Sequence, residues 1–73
     1  MATNQITGGE AMVRMLKLHG VNVIFGLCGD TSLPFYDALY RTAGDITHVL
    51  TRDERHAGYM ADAYARVTGR VGV

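Results

Sequence analysis

At 73 residues the chain can form one domain at most, and folding would remove only about 60–65% of its unfolded surface from water. Seven basic and seven acidic residues cancel, and 48% hydrophobic against 19% charged residues is the balance of a folded protein, which argues against disorder, a nucleic-acid-binding basic patch and a charged membrane-binding face. The single cysteine, Cys28, excludes an internal disulfide, and His19, His48 and His56 fall at no metal-ligand spacing, so no metal site is expected.

The first five residues, Met1-Ala2-Thr3-Asn4-Gln5, are polar and carry no secretory pattern. With no apolar run near the roughly 18 residues of a bilayer span, a reducing, cytoplasmic setting is the expectation. Thr7-Gly8-Gly9-Glu10 fits a capping box, the Thr7 hydroxyl and the Glu10 carboxylate each satisfying the other's backbone N–H. Ala11, Met12, Met15, Leu16 and His19 then recur at helical spacing, with Glu10, Arg14 and Lys17 on the wet side and Glu10 paired to Arg14. Gly20 stops this helix in the left-handed conformation.

Val23-Ile24-Phe25 is too short and too β-branched for a helix and predicts a buried strand. A loop of Gly26, Gly29, Asp30 and Ser32 follows. Ser32 is placed to cap a second helix, with Pro34 in its first turn and Leu33, Tyr36, Leu39 and Tyr40 facing inward. Thr42-Ala43-Gly44-Asp45 reads as a turn, Ile46 to Leu50 as a second strand, Glu54 to Thr68 as a third helix, and Val71-Gly72-Val73 as the onset of a third strand.

Alternating helices and strands predict an α/β protein with a parallel sheet. Two and a half strands leave bare edges where such sheets are covered on both faces, so the chain is expected to be a fragment of a larger domain.

Two places carry chemistry. The first is Thr51-Arg52-Asp53-Glu54, where a strand hands over directly to a helix. Ligands of open α/β sheets bind beyond the carboxyl ends of strands, which is where Glu54 falls, although an acid in a first turn also simply complements the helix dipole. The second is Gly26-Leu27-Cys28-Gly29-Asp30. It lacks the glycine pattern of a dinucleotide fold and the Gly-Lys-Ser/Thr of a phosphate loop. Cys28 is expected to be buried and inert. Asp30 has two readings, a substrate-facing carboxylate or a cap on the second helix through an Asx-type bond. A third feature, Ala57, Ala61 and Ala65 with Gly58 beside them, is a small-residue stripe suited to close helix approach, within the domain or between copies.

The stretch from Thr7 to Val73, above all the Gly26–Asp30 loop, the Arg52-Asp53-Glu54 junction and Met60-Ala61-x-x-Tyr64-Ala65-Arg66-x-Thr68-Gly69, resembles the amino-terminal, aminopyrimidine-binding part of thiamine-diphosphate-dependent enzymes, acetolactate-synthase-like ones in particular. The resemblance implies the first part of a doubly wound parallel sheet, residues 1–73 being the N-terminal portion of the aminopyrimidine-binding domain without the middle and diphosphate-binding domains. It implies that Glu54 hydrogen-bonds the pyrimidine N1′ and starts cofactor activation. That chemistry needs a carboxyl able to share a proton, which a dry pocket would favour against the helix dipole.

The resemblance further implies that Leu27, Cys28 and Gly29 reach the aminopyrimidine end of the cofactor, Cys28 standing where the family usually has proline. Asp30 then matches a proton-transfer aspartate of the related 2-oxo-acid decarboxylases. Ala57, Ala61 and Ala65 would lie at a homodimer or tetramer interface, the substrate would be a 2-oxo acid such as pyruvate, and Mg²⁺ and the diphosphate would be held by residues outside this chain. FAD is compatible with the family in a full-length protein but has no support in these residues. Carboligation is preferred over simple decarboxylation. The rival class is a non-catalytic α/β interaction module whose helix stripe only mediates association.

Overall fold

The computed structural model describes residues 5–42 and 44–73. Residues 1–4, and Ala43 of the predicted turn, lie outside the described residues. The order is α1 (Gly8–Leu18), β1 (Val23–Gly26), a short 3₁₀ turn (Asp30–Ser32), α2 (Leu33–Thr42), β2 (Thr47–Leu50) and α3 (Glu54–Thr68). The helices begin and end where local chemistry dictates. The Thr7 hydroxyl accepts from the Glu10 N–H at 3.1 Å and donates to Glu10 Oε1 at 3.2 Å, so Glu10 meets the Thr7 side chain rather than its backbone N–H. Gly20 and Gly69 take φ of 76° and 74°, the left-handed conformation in which a helix is closed.

β1 and β2 are parallel neighbours in the register Val23↔Thr47 to Gly26↔Leu50. Successive strand residues point to opposite faces. Ile24 accordingly enters the core with Val13, Ala38, Leu39 and Ile46, while Phe25 meets Tyr64 of α3 edge-on, ring centroids 5.9 Å apart. α1 and α2 pack together over the first face and α3 packs on β1. On the far side of β1 the Phe25 N–H donates to the Val73 carbonyl at 2.9 Å, the beginning of the predicted third strand. β1 therefore lies between β2 and the 71–73 segment, with helices on both faces.

The buried faces of the first two helices differ from the periodicity. In α1 the inward line is Gly9, Val13 and Leu16, whereas Met12 and Met15 are more than half exposed. In α2 it is Phe35, Tyr36, Ala38 and Leu39, so Tyr36 and Leu39 face inward as expected while Leu33 and Tyr40 are exposed. The cause is Gly9: a Cβ there would stand 2.5 Å from the Pro34 carbonyl oxygen, so the two helices touch backbone to backbone along their small residues. Glu10 does not pair with Arg14. It faces Arg41 of α2 at 3.8 Å, a partner that helix packing brings closer than its own helix does. Asp62 and Arg66 do pair, at 3.1 Å on the exposed face of α3.

Candidate functional site

Both strands finish at the same end of the sheet, and the chain leaves them in two segments that bracket one place. Residues 27–29 follow β1, and residues 51–53 follow β2. Thr51 joins them. It is the buried polar residue among the described residues, 3% exposed; its N–H donates to the Gly26 carbonyl at 3.0 Å and its hydroxyl to the Asp53 carbonyl at 3.1 Å. The end of β1 is thereby tied to the residue that opens α3.

Asp53 caps α3. Its Oδ1 accepts from the Arg55 N–H at 2.8 Å, and the Arg55 guanidinium closes on the same carboxylate at 2.9 and 3.1 Å. The side-chain bonds from Arg55, then its backbone N–H, hold the Asp53 carboxyl below its ordinary 3.8. A carboxyl lowered in the folded state stabilises that state above its unfolded value, and the contribution is lost as pH falls through the lowered one. Asp53→Ala should therefore lower the melting temperature at pH 7 and matter progressively less below about pH 4, the ordinary aspartate range, in thermal melts followed across pH.

Glu54 is the first residue of α3, held by this cap. Its carboxylate is exposed and makes no hydrogen bond or ion pair among the described residues, so the dry pocket required by the sequence reading is not supplied by the chain alone. In the loop after β1, Ser32 does not cap α2 forward as predicted. Its Oγ turns back, accepting from the Gly29 N–H at 2.9 Å and donating to the Gly29 carbonyl at 3.1 Å, which closes the loop on itself. Nor does Asp30 cap α2: its side chain is exposed and forms no hydrogen bond among the described residues, which removes the competing structural use for it. Cys28 is exposed rather than buried, with its Sγ 3.7 Å from the Gly29 carbonyl, because the loop projects beyond the strand. Leu27 is half-buried.

Beneath the loop, Tyr36 Oη and His48 Nε2 are 2.9 Å apart, their rings crossing edge to face at 5.0 Å. Sequence reasoning took Tyr36 only as an inward-facing residue of the second helix and gave His48, Thr51 and Asp53 no role at the site. The signal for Asp53 was available, since an aspartate directly before a helical run is a standard cap. On α3 the stripe Ala57, Ala61 and Ala65 is half-buried; a side chain at Gly72 would overlap the Ala61 carbonyl, so part of the stripe serves packing within the chain. Tyr59, Met60 and Val67 are the large apolar side chains that α3 leaves exposed. A separate cleft, lined by His19, Asn22, Val23, Tyr64 and Arg70, opens at the amino ends of the strands, the end opposite Glu54. Among the described residues no helix is long and apolar enough to cross a membrane.

Acetolactate synthase of Arthrospira platensis is 49% identical over 99% of the chain, and the acetolactate synthase large subunit of Mycobacterium tuberculosis is 49% identical over all of it. A probable 2-ketoarginine decarboxylase of Pseudomonas aeruginosa is 48% identical over 93%. The chain spans only 12–13% of the length of these relatives. Residues 6–73, which contain both strand ends and all of α3, match the thiamine pyrophosphate enzyme, N-terminal TPP binding domain, and the chain belongs to that family.

Proposed function

We propose that the protein containing this chain is a thiamine-diphosphate-dependent enzyme acting on a 2-oxo acid such as pyruvate, of the acetolactate-synthase type, with Glu54 serving the aminopyrimidine ring of the cofactor. The observation that carries this reading is a carboxylate with no hydrogen bond or ion pair among the described residues, fixed at a capped helix start beside the glycine-bounded loop that leaves β1. The residues fit the group: a carboxyl free of other bonds can meet a ring nitrogen, and Gly26 and Gly29 keep the loop thin on the side of β1.

When bound, the cofactor supplies the electron sink for making or breaking a bond beside a carbonyl. Glu54 holds and shares the proton at the ring N1′. Leu27 and Cys28 supply the loop surface against the ring, and Asp53 and Thr51 keep the helix start in place. The dry surroundings that Glu54 needs come from surfaces outside the described residues, and the exposed Tyr59, Met60 and Val67 of α3 suit self-association of the homodimer or tetramer kind. Mg²⁺ and the diphosphate are assigned to residues beyond this chain.

One observation favours a second reading, simple decarboxylation: the Asp30 carboxylate is free of any capping bond and stands at the start of the turn after Gly29. The two readings differ in product. Given pyruvate, thiamine diphosphate and Mg²⁺, the complete protein should form acetolactate, and Asp30→Asn should keep most of that activity. Acetaldehyde as the dominant product, lost in Asp30→Asn, would replace the first reading with the second. A complete protein that fails to bind thiamine diphosphate in calorimetry would leave the non-catalytic interaction module instead.

A further inference from the structure

We propose that Tyr36 and His48 form a positioning pair that sets the height of the Gly26 end of β1 and, through Thr51, the place at which the helix carrying Glu54 begins. The inference rests on the cofactor reading above and extends it to residues on the other side of the sheet end.

The contacts form one continuous path. Tyr36 of α2 and His48 of β2 are joined at 2.9 Å, and their perpendicular rings leave little freedom to slide. The phenol oxygen lies directly under Gly26: a Cβ on that residue would stand 2.5 Å from Tyr36 Oη, with His48 Nε2 next at 3.5 Å. Gly26 has no positive φ, so the glycine is required by this close approach rather than by backbone conformation. The Gly26 carbonyl in turn accepts from Thr51, whose hydroxyl reaches the carbonyl of the capping Asp53. The path runs from the Tyr36 ring, held by its bond to His48, to the backbone at Gly26 and on through the buried Thr51 to the Asp53 carbonyl, so a shift of the ring bears on the strand end and the helix start together. Burial, followed by the neighbouring Cys28 thiol, pushes the Tyr36 phenol above its ordinary 10.0.

The geometry yields a test in which one substitution repairs another. Gly26→Ala brings a methyl within 2.5 Å of the phenol oxygen, so either the strand end or the Tyr36 ring with its bond to His48 must shift. Tyr36→Phe removes that single oxygen, and the remaining neighbours of the new methyl lie at 3.5 Å or beyond, ordinary contact. In the complete protein Gly26→Ala should lower kcat about 10- to 100-fold, the scale of a small misplacement of a reacting group. The melting temperature of the cofactor-free protein should fall in parallel. Gly26→Ala combined with Tyr36→Phe should recover a large part of both.

Tyr36→Phe alone should weaken thiamine diphosphate binding several-fold by calorimetry while leaving the cofactor-free melting temperature near that of the unaltered protein. His48→Gln, which can still meet the phenol, should behave better than His48→Leu. Additive effects of Gly26→Ala and Tyr36→Phe in a protein that binds the cofactor would overturn the positioning role alone. Absence of thiamine diphosphate binding in the unaltered protein would overturn the cofactor reading and this proposal with it.

Discussion

Glu54→Gln in the complete protein should cut turnover by about 100-fold or more, the usual range for the loss of a positioned acid–base group. Gln keeps the size and can still donate a hydrogen bond, but it cannot hold and share a proton at a ring nitrogen. Little else should change, because the carboxylate is exposed, bears no ion pair among the described residues, and leaves the cap to Asp53. Thermal melts of the cofactor-free variant should coincide with those of the unaltered protein. Steady-state rates at saturating thiamine diphosphate read the effect directly; a rate close to that of the unaltered protein would remove Glu54 from the chemistry.

A large effect on stability is expected at Gly9, in the layer that holds the core. A methyl there meets the Pro34 carbonyl oxygen at 2.5 Å, its carbon at 2.9 Å and Phe35 Cα at 3.3 Å, all backbone atoms that cannot rotate aside. α1 and α2 would have to part, opening the layer that encloses Val13 and Ala38, both 0% exposed. Forcing extra volume into a packed contact costs about 1–3 kcal/mol and sometimes more. Alanine gains back at most about 1 kcal/mol over glycine in a helix, so the net sign is destabilising. Gly9→Ala should move the denaturant midpoint of the complete protein downward with little change in slope. An unchanged midpoint would mean that the two helices have room to spare at this crossing.

What could be read from the sequence is what local chemistry decides. α3 runs from Glu54 to Thr68 as expected, because a junction residue opens it and Gly69 closes it. Both strands fall where β-branched residues cluster, and the place of Glu54 beyond a strand end follows from the order of elements alone. The failures share a cause. Periodicity ranks residues by hydrophobicity and so chose Met12 and Met15, whereas the contact line of α1 follows Gly9 and Val13, where the absence of a side chain lets α2 come close. Glu10 found Arg41 instead of Arg14, and Ser32 turned to Gly29, because both choices depend on neighbours that only tertiary packing or the loop path supplies. Tyr36 and His48 belong to different elements and meet only when the strands align in register. Thr51 looks like any strand-end threonine until its burial is known.

The bond from the Phe25 N–H to the Val73 carbonyl has a consequence for how the sheet assembles. β2 lies one crossover from β1, through α2, whereas the 71–73 segment lies two crossovers away, through α2 and then α3, before β1 gains its second neighbour. Closing the larger loop costs more chain entropy, and contacts of long sequence separation are the slow ones. The β1–α2–β2 unit is thus the natural nucleus, and Phe25 sits at its open flank, pairing last. Its amide marks the moment at which a two-stranded ribbon becomes the centre of a sheet, and its hydrogen-exchange protection would report local opening of the α3 crossover separately from unfolding of the ribbon itself.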